Sequence, residues 1–180
     1  MIRRIWTVAA IASLAMAVGS IRAQDMPPDM RMQEMPTKKA TAPAGPLHIA
    51  FGDKHAEWSP VSLASLPHVT ITVYNEHAKV NQTYSGVPLS ALLIPLGVPE
   101  TPHGKDFRLY LVAAGSDGYQ VVYSLGEVLP SVHDGTVLVA DALDGKALQA
   151  AGPLQLVATG EKRPARWVRN LVSIDVRTIQ

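Results

Sequence analysis

Residues 152–158 read GPLQLVA, and residues 163–171 read RPARWVRNL. The first run is apolar and typical of a buried strand, while the second sets three arginines around one tryptophan. Guanidinium groups present planar forks that match phosphate and carboxylate oxygens. Because an alternating strand, residues 171–179, follows at once, we expect the arginines at the mouth of a β-rich domain. The stretch therefore predicts a pocket for a phosphorylated or acidic ligand.

The rest of the chain favours short strands separated by turns. Residues 69–74 (VTITVY) alternate with period two and are β-branched, which predicts a strand, and residues 80–84 predict its return partner. Pro88 is expected as the first residue of a helix that ends at Gly97, because leucines recur between them at helical spacing. Seven or eight strands with two small helices indicate an α+β, mainly β domain.

The N-terminus has the pattern of an export signal. Two arginines precede an apolar run from residue 5 to 18, and a small residue, Ala23, ends the segment. The run is too short for a good membrane span, so we expect a signal peptide over residues 1–23 and a periplasmic or secreted protein. The chain has no cysteine, so its stability must come from a packed core rather than from disulfides.

The charge balance argues against binding to nucleic acid or to anionic membranes in general. The chain has 16 Lys and Arg and 15 Asp and Glu, and removal of residues 1–23 would remove three arginines and no acid, leaving a net charge of −2. Any anion site must then be local. Five basic residues fall near the C-terminus: Lys162, Arg163, Arg166, Arg169 and Arg177.

Residues 24–46 are rich in proline and poor in β-branched apolar residues, which predicts a disordered linker before a single domain over residues 47–180. Thioether sulfur is a soft ligand suited to Cu(I), so copper binding and a plain tether are both open for this segment. It contains four methionines: Met26, Met30, Met32 and Met35.

Two other segments carry candidate site residues. Asp117 and Tyr119 enclose Gly118, and they belong either to a hairpin turn with a packing tyrosine or to a pocket rim. His77 follows a predicted strand end, where a side chain can face a pocket, although a loop histidine is more often solvated. Trp167 could lie in the core with its N–H paired, but three neighbouring arginines favour a cleft. No nucleophile elbow or zinc-type cluster of histidines is present in the sequence.

The order of five short motifs resembles that of the sulfite-oxidase-type molybdopterin-binding domain family. The resemblance covers roughly residues 69–176 and implies a mainly β, α+β sulfite-oxidase-like fold of mixed sheets with a few short helices. The motifs are GVPLSALL (residues 86–93), SDGY with a following SL (116–119 and 124–125), the LVADALDGKAL hairpin (138–148), GPLQLV (152–157) and ARWVR (165–169).

In that family the last motif lies against the pterin and its phosphate. The resemblance therefore implies that Arg166 and Arg169 contact the anion of a molybdopterin cofactor, with Trp167 between them. It also implies that Asp117 and Tyr119 lie near the rim of the same pocket.

The chain departs from this family at the metal ligand. Family enzymes ligate molybdenum through a cysteine thiolate in a loop after a strand, whereas here the strand at residues 69–74 is followed by Asn75, Glu76 and His77. We expect Asn75 and His77 near the cofactor, where they could offer only hard oxygen or nitrogen ligands. No catalytic residue can be assigned.

Two functions follow from these patterns. One is an exported molybdopterin-binding, oxidoreductase-like domain, redox-active on a small oxyanion or sulfur compound. The other is a non-catalytic module of the same fold that recognises a small acidic ligand or a protein partner, because a fold does not fix a function.

Overall fold

Two β-sheets make up most of the structure, which a computed structural model describes for residues 45–76, 78–149 and 152–180. The predicted signal peptide, most of the predicted linker and His77 lie outside the described residues. Eleven strands are present within these ranges: β1 (Leu47–Phe51), β2 (Lys54–Trp58), β3 (Val69–Asn75), β4 (Val80–Pro88), β5 (Leu109–Gly115), β6 (Gln120–Ser124), β7 (Val137–Leu143), β8 (Lys146–Ala147), β9 (Gln155–Ala158), β10 (Val168–Arg169) and β11 (Leu171–Thr178).

The first sheet has the strand order β2–β1–β11–β5–β6, and the second has the order β10–β9–β7–β4–β3, with β8 paired to β7. Only β1 and β11 run parallel among these described pairs. No helix in the described ranges is long and apolar enough to cross a bilayer. The architecture confirms the predicted α+β, mainly β class, and its helices are α1 (Pro60–Ala64), α2 (Leu89–Leu93) and α3 (Leu125–Val128).

Both sheets and α2 bury their apolar side chains in one core. Leu111 and Ile174 of the first sheet, Leu138 and Leu156 of the second, and Leu92 of α2 are at most 1% exposed and belong to the same cluster. Burial of a side chain of this size stabilises the fold by about 1.5–3 kcal/mol. This core supplies the stability that a cysteine-free chain cannot take from disulfides.

The helix start predicted at Pro88 is wrong by one residue. Pro88 has an extended backbone (ψ 133°), pairs with Leu138 as the last residue of β4, and is followed by α2 from Leu89. Proline can end a strand because its missing N–H removes no bond from the interior of the ladder. The leucines do form the predicted helix, and Gly97 ends the following turn with φ +95°.

Two strands of the first sheet depart from the simple apolar alternation expected of a strand. Strand β5 begins only at Leu109, because the preceding Gly104–Arg108 segment forms a 3₁₀ turn in which Asp106 accepts the His103 N–H at 2.9 Å. The sequence pattern missed β2, since Lys54–Trp58 is mostly polar and only its pairing with β1 makes it a strand.

One ion pair connects the entry of β3 to β7 across the second sheet. His68 Nε2 lies 2.8 Å from Asp141 Oδ2, and His68 Nδ1 lies 2.7 Å from the Leu66 carbonyl. The hydrogen bond to Asp141, followed by that to Leu66, raises the pKa of His68 above its ordinary value of 6.5, although partial burial opposes the shift. The folded state therefore favours the imidazolium, which donates both of its protons.

We expect this pair to make the stability of the domain depend on pH. A raised pKa in the folded state gives a contribution that is complete below the ordinary pKa of histidine and is lost as the pH rises through the folded pKa. Thermal unfolding of the wild type and Asp141→Asn at about pH 5.5 and about pH 8.5 should show a larger difference between the proteins at the lower pH. The control is His55→Gln, which alters an exposed histidine of β2. It should change the melting temperature by the same amount at both pH values. An Asp141→Asn effect independent of pH would contradict the assignment.

Candidate functional site

The C-terminal segment crosses from the second sheet to the first at Asn170. Arg169 is the last residue of β10, and Leu171 is the first of β11 and fully buried. Asn170 has a left-handed backbone (φ +50°), its carbonyl accepts the Ser116 N–H at 3.0 Å, and its side-chain amide donates to the Ser116 hydroxyl. The crossing leaves the Arg169 side chain exposed beside the second sheet.

Two glycines allow the crossing. Gly152 has φ +80°, and a Cβ there would lie 2.1 Å from the Asn170 side-chain oxygen. A Cβ on Gly115, at the end of β5, would lie 2.7 Å from the Arg169 carbonyl. Because backbone and a buried side chain block both positions, only glycine lets these segments approach so closely.

A cleft of about 880 Å³ opens beside Arg169. Its volume lies within the range typical of sites for small molecules and cofactors, about 300–1,000 Å³. The β3–β4 hairpin, the turn at residues 117–119, the β7–β8 hairpin, β9 and the segment at residues 164–169 all contribute to its walls. The segment singled out from the sequence therefore forms one side of a cavity.

Two cations and two carboxylates line this cleft: Arg169, Lys146, Asp117 and Asp144. Among the described residues, no carboxylate forms an ion pair with Arg169 or Lys146. Asp144 accepts the Thr83 N–H at 2.9 Å, and Asp117 accepts the Tyr119 N–H at 3.0 Å, so both carboxylates are engaged with the backbone. The cations are thus the charges available to an anionic ligand.

Aromatic side chains form a second wall. Trp167 and Tyr84 meet edge to face, with ring centroids 5.5 Å apart and planes at 79°. Trp167 is 8% exposed and donates its indole N–H to the Ala158 carbonyl at 3.1 Å, so it packs in the core and also borders the cleft. Burial raises the pKa of Tyr84, and the nearby positive charge of Arg169 only partly opposes that shift. Tyr84 therefore stays a neutral phenol at the cleft wall.

Asp117 and Tyr119 belong to the turn after β5 and also line the rim of the cleft. The Asp117 carboxylate closes the turn onto the Tyr119 N–H, and both residues line the cleft. The Tyr119 hydroxyl donates to the Ala165 carbonyl in the opposite wall. The turn and the pocket rim are therefore both present, but Tyr119 is 47% exposed and does not pack in the core as the first interpretation required.

Gln155 is a lining residue that the sequence analysis missed. It is 4% exposed on β9, it pairs with Arg169 of β10 and it borders the cleft. Its side-chain amide makes no hydrogen bond within the described residues and is not among their fully buried polar atoms that lack a partner, so the amide is open to the cleft. Its only signal in the sequence is a polar residue between Leu154 and Leu156 in an otherwise apolar strand.

Asn75 lines the cleft at the end of β3, and its side chain also holds the β3–β4 hairpin together. Its amide donates to Gln82 at 2.6 Å, and its oxygen accepts the Ala78 N–H at 3.0 Å. The Tyr84 hydroxyl donates to the same Gln82 oxygen at 3.4 Å. His77, the other predicted residue of this loop, lies outside the described residues.

Arg166 occupies a different place from the one expected. Its guanidinium lies in a separate small cleft, where it donates to Glu127 at 2.8 Å and to Glu161 from two nitrogens, and it lies 4.6 Å from the centre of the Tyr123 ring. The expectation that Arg166 and Arg169 meet at one anion is therefore corrected. Two carboxylates already neutralise Arg166, so its role is to hold the segment that carries Trp167 and Arg169.

Electrostatic shifts around Arg166 agree with this role. Burial alone would raise the pKa of Glu127, but hydrogen bonds from Ser124 and Arg166 lower it overall. For Arg166 the directions are reversed. Burial alone would lower the pKa of its guanidinium, but the hydrogen bonds to Glu127 and Glu161 raise it overall. The Tyr123 hydroxyl donates to the Arg166 carbonyl at 2.9 Å, so both the side chain and the backbone of Arg166 are fixed.

We expect Arg166→Met to destabilise the domain by about 1–2 kcal/mol, because it leaves Glu127 and Glu161 without their cation. The loss is modest because the Arg166 side chain is 38% exposed, so solvent screens the ion pairs. Urea unfolding followed by tryptophan fluorescence measures the change. Arg163→Met is the matched control, because Arg163 is exposed and forms no ion pair among the described residues. Equal effects of the two substitutions would show that the network contributes nothing.

Comparison with solved structures supports the fold. The chain is similar to the crystal structure of the sulfane dehydrogenase SoxCD from Paracoccus pantotrophus, with a TM-score of 0.56 and 23% sequence identity. The match covers 74% of this chain and 39% of that chain. The chain therefore shares the fold of the matched part of this protein and spans about two-fifths of its length.

Comparison with curated proteins gives a shorter match. Eighty-two residues are 34% identical to the DNA primase small subunit PriS of Thermoplasma volcanium, which is 46% of this chain and 23% of that protein. The chain thus spans about a quarter of the length of this curated relative, and the match does not show a family. No protein-family model matches the chain.

Proposed function

We propose that this domain binds a phosphorylated heteroaromatic ligand of the molybdopterin class in the cleft beside Arg169. The observation that carries the proposal is a cleft of about 880 Å³ in which the Arg169 guanidinium has no carboxylate partner among the described residues. An unpaired guanidinium offers a two-pronged donor to a phosphate. Lys146, on the β7–β8 hairpin, adds a second positive charge in the same cleft.

The organic part of such a ligand fits the other walls. Trp167, Tyr84 and Tyr119 offer aromatic surface to a flat ring system. The Gln155 amide can both donate to and accept from the polar edge of a pterin, since it is committed to no described protein group. The volume of the cleft, its two positive charges and the Gln155 amide therefore all suit a phosphorylated pterin.

The metal that accompanies molybdopterin fits less well. The chain has no cysteine, so it cannot supply the thiolate that the related enzymes use. In the part of the chain that the structure describes, no group of three or more His, Asp or Glu side chains could hold a metal ion. Bound molybdenum cofactor supplies two-electron redox chemistry on small oxyanions or sulfur compounds. Here Arg169 and Lys146 would hold its phosphate, and Gln155 and the aromatic residues would orient its ring.

The missing thiolate favours a second function on the same cleft, namely recognition of an acidic ligand without turnover. The likeness to a sulfane dehydrogenase supports the fold and leaves the reaction open. We further propose, from the pattern of residues 1–23, that the domain works after export, in the periplasm or outside the cell. Neither function calls for nucleic acid.

Arg169→Met should weaken binding of the phosphorylated, oxidised and fluorescent pterin by about 10- to 100-fold, because one charge-assisted contact is lost. The dephosphorylated pterin should bind the wild type more weakly by a similar factor and should be insensitive to Arg169→Met. Fluorescence titration measures both ligands. Arg177→Met is the control, since Arg177 pairs with Asp175 on β11 and does not line the cleft. If neither pterin binds the wild type and small dicarboxylates do, the second function is the correct one.

Gln155→Leu tests whether the Gln155 amide contacts the ring of the ligand. We expect it to weaken both pterins equally by about 10-fold, because the lost contact is to the ring rather than to the phosphate. Because the amide makes no hydrogen bond within the described residues and is open to the cleft, its removal should leave the free energy of unfolding nearly unchanged. Thermal unfolding and ligand titration of the same samples separate the two effects. Weaker binding accompanied by a large loss of stability would mean that Gln155 is structural.

A further inference from the structure

Gln82 of β4 lines the cleft, and hydrogen bonds from its neighbours fix the orientation of its side-chain amide. Its oxygen accepts from the Asn75 amide at 2.6 Å and from the Tyr84 hydroxyl at 3.4 Å. Its nitrogen donates to no described residue, and that nitrogen is not among the fully buried polar atoms that lack a partner. The amide nitrogen of Gln82 is therefore open to the cleft.

The polarity of this network is set by the backbone of the β3–β4 hairpin. The Ala78 N–H lies 3.0 Å from the Asn75 side chain, and because a backbone N–H can only donate, the Asn75 atom that faces it is the oxygen. The other polar atom of Asn75 is then its nitrogen, which can only donate, so Gln82 must accept with its oxygen. Reversal of the Gln82 amide would set its nitrogen against the Asn75 nitrogen. The Gln82 nitrogen therefore stays available to the cleft as a donor.

Gln82 lies on the same face of the second sheet as Arg169. Side chains alternate along a strand, so Gln82 shares its face with Tyr84 and Gly86. A row of directly paired residues continues this face from β4 to β10: Gly86, Ala140, Gln155 and Arg169. Three strand spacings, about 14 Å, separate β4 from β10. A ligand that spans the cleft with its phosphate at Arg169 therefore presents its other end to Gln82.

We propose that Gln82 is a specificity-determining residue of the cleft, which donates a hydrogen bond from its amide nitrogen to an acceptor atom at the ring end of the ligand. This inference rests on the proposed function and adds to it the kind of atom that the ligand presents. A ring carbonyl or an unprotonated ring nitrogen suits the position, whereas a ring N–H would meet another donor. Such a site discriminates strongly, because a mismatched ligand leaves polar groups without a partner.

Gln82→Glu tests the contact, because the carboxylate can still accept from Asn75 and Tyr84 but has no proton to donate. Affinity for the dephosphorylated oxidised pterin should fall at least about 10-fold, and the melting temperature should not fall. Gln149→Glu is the matched control, since Gln149 also lines the cleft. The same new charge there should weaken the phosphorylated pterin and leave the dephosphorylated one unaffected. Fluorescence titration and thermal unfolding of the same samples measure both effects.

Asn75→Asp tests the polarity of the network without altering Gln82. The new carboxylate still accepts the Ala78 N–H but cannot donate, so the Gln82 amide turns to donate to it and presents its oxygen to the cleft. The dephosphorylated pterin should again bind at least about 10-fold more weakly than to the wild type. If the network only held the hairpin together, both variants would bind the pterin like the wild type, and that result would overturn the inference.

The titration of Arg169→Met separates this inference from the proposed function. Pterin binding that depends on Arg169 but is the same in Gln82→Glu and Asn75→Asp as in the wild type would overturn the role of Gln82 alone. A wild type that binds neither the phosphorylated nor the dephosphorylated pterin would overturn both.

Discussion

The crossing of the chain at Asn170 is the constraint on which the arrangement of the cleft depends. One residue earlier the chain belongs to the second sheet, and one residue later it is buried in the first. The left-handed backbone of Asn170 turns the chain within a single residue, and Gly115 and Gly152 leave the space for it. Because β11 is anchored in the core through Leu171, Arg169 has little freedom in where it emerges.

The different roles of Arg166 and Arg169 follow from local backbone geometry. In a continuous helix, residues three apart share a face. Here a 3₁₀ turn ends at Arg166 and a strand begins at Val168, so the chain changes its period between the two arginines. One guanidinium therefore meets Glu127 and Glu161, while the other enters the cleft. Composition indicated an arginine cluster, but not which arginine is neutralised, because Glu127 is 39 residues away in sequence.

Predictability followed the range of the interactions concerned. The strand at Val69–Asn75 and the turn at Asp144 were predictable, because alternation and turn chemistry act over a few residues. The order of motifs also indicated the fold, which the likeness to a solved structure supports. The exception is β2, which was missed because its residues are mostly polar, although the Gly52–Asp53 turn that joins it to β1 is local. In contrast, Gln155 becomes a cleft residue only when β9, β10 and the β7–β8 hairpin come together. Contacts between strands that are distant in the sequence have no signal in the local residue pattern.

The β3–β4 hairpin forms part of the cleft wall. Asn75 closes the hairpin through the Ala78 N–H and also borders the cleft. The end of this hairpin has only two strands, because β7 pairs with β4 from Tyr84 onward. The hydrogen bonds from Asn75 and Tyr84 to Gln82 join this end to the part of β4 that lies inside the sheet. The position of Asn75 in the cleft wall therefore depends on contacts along β4 as well as on the hairpin turn itself.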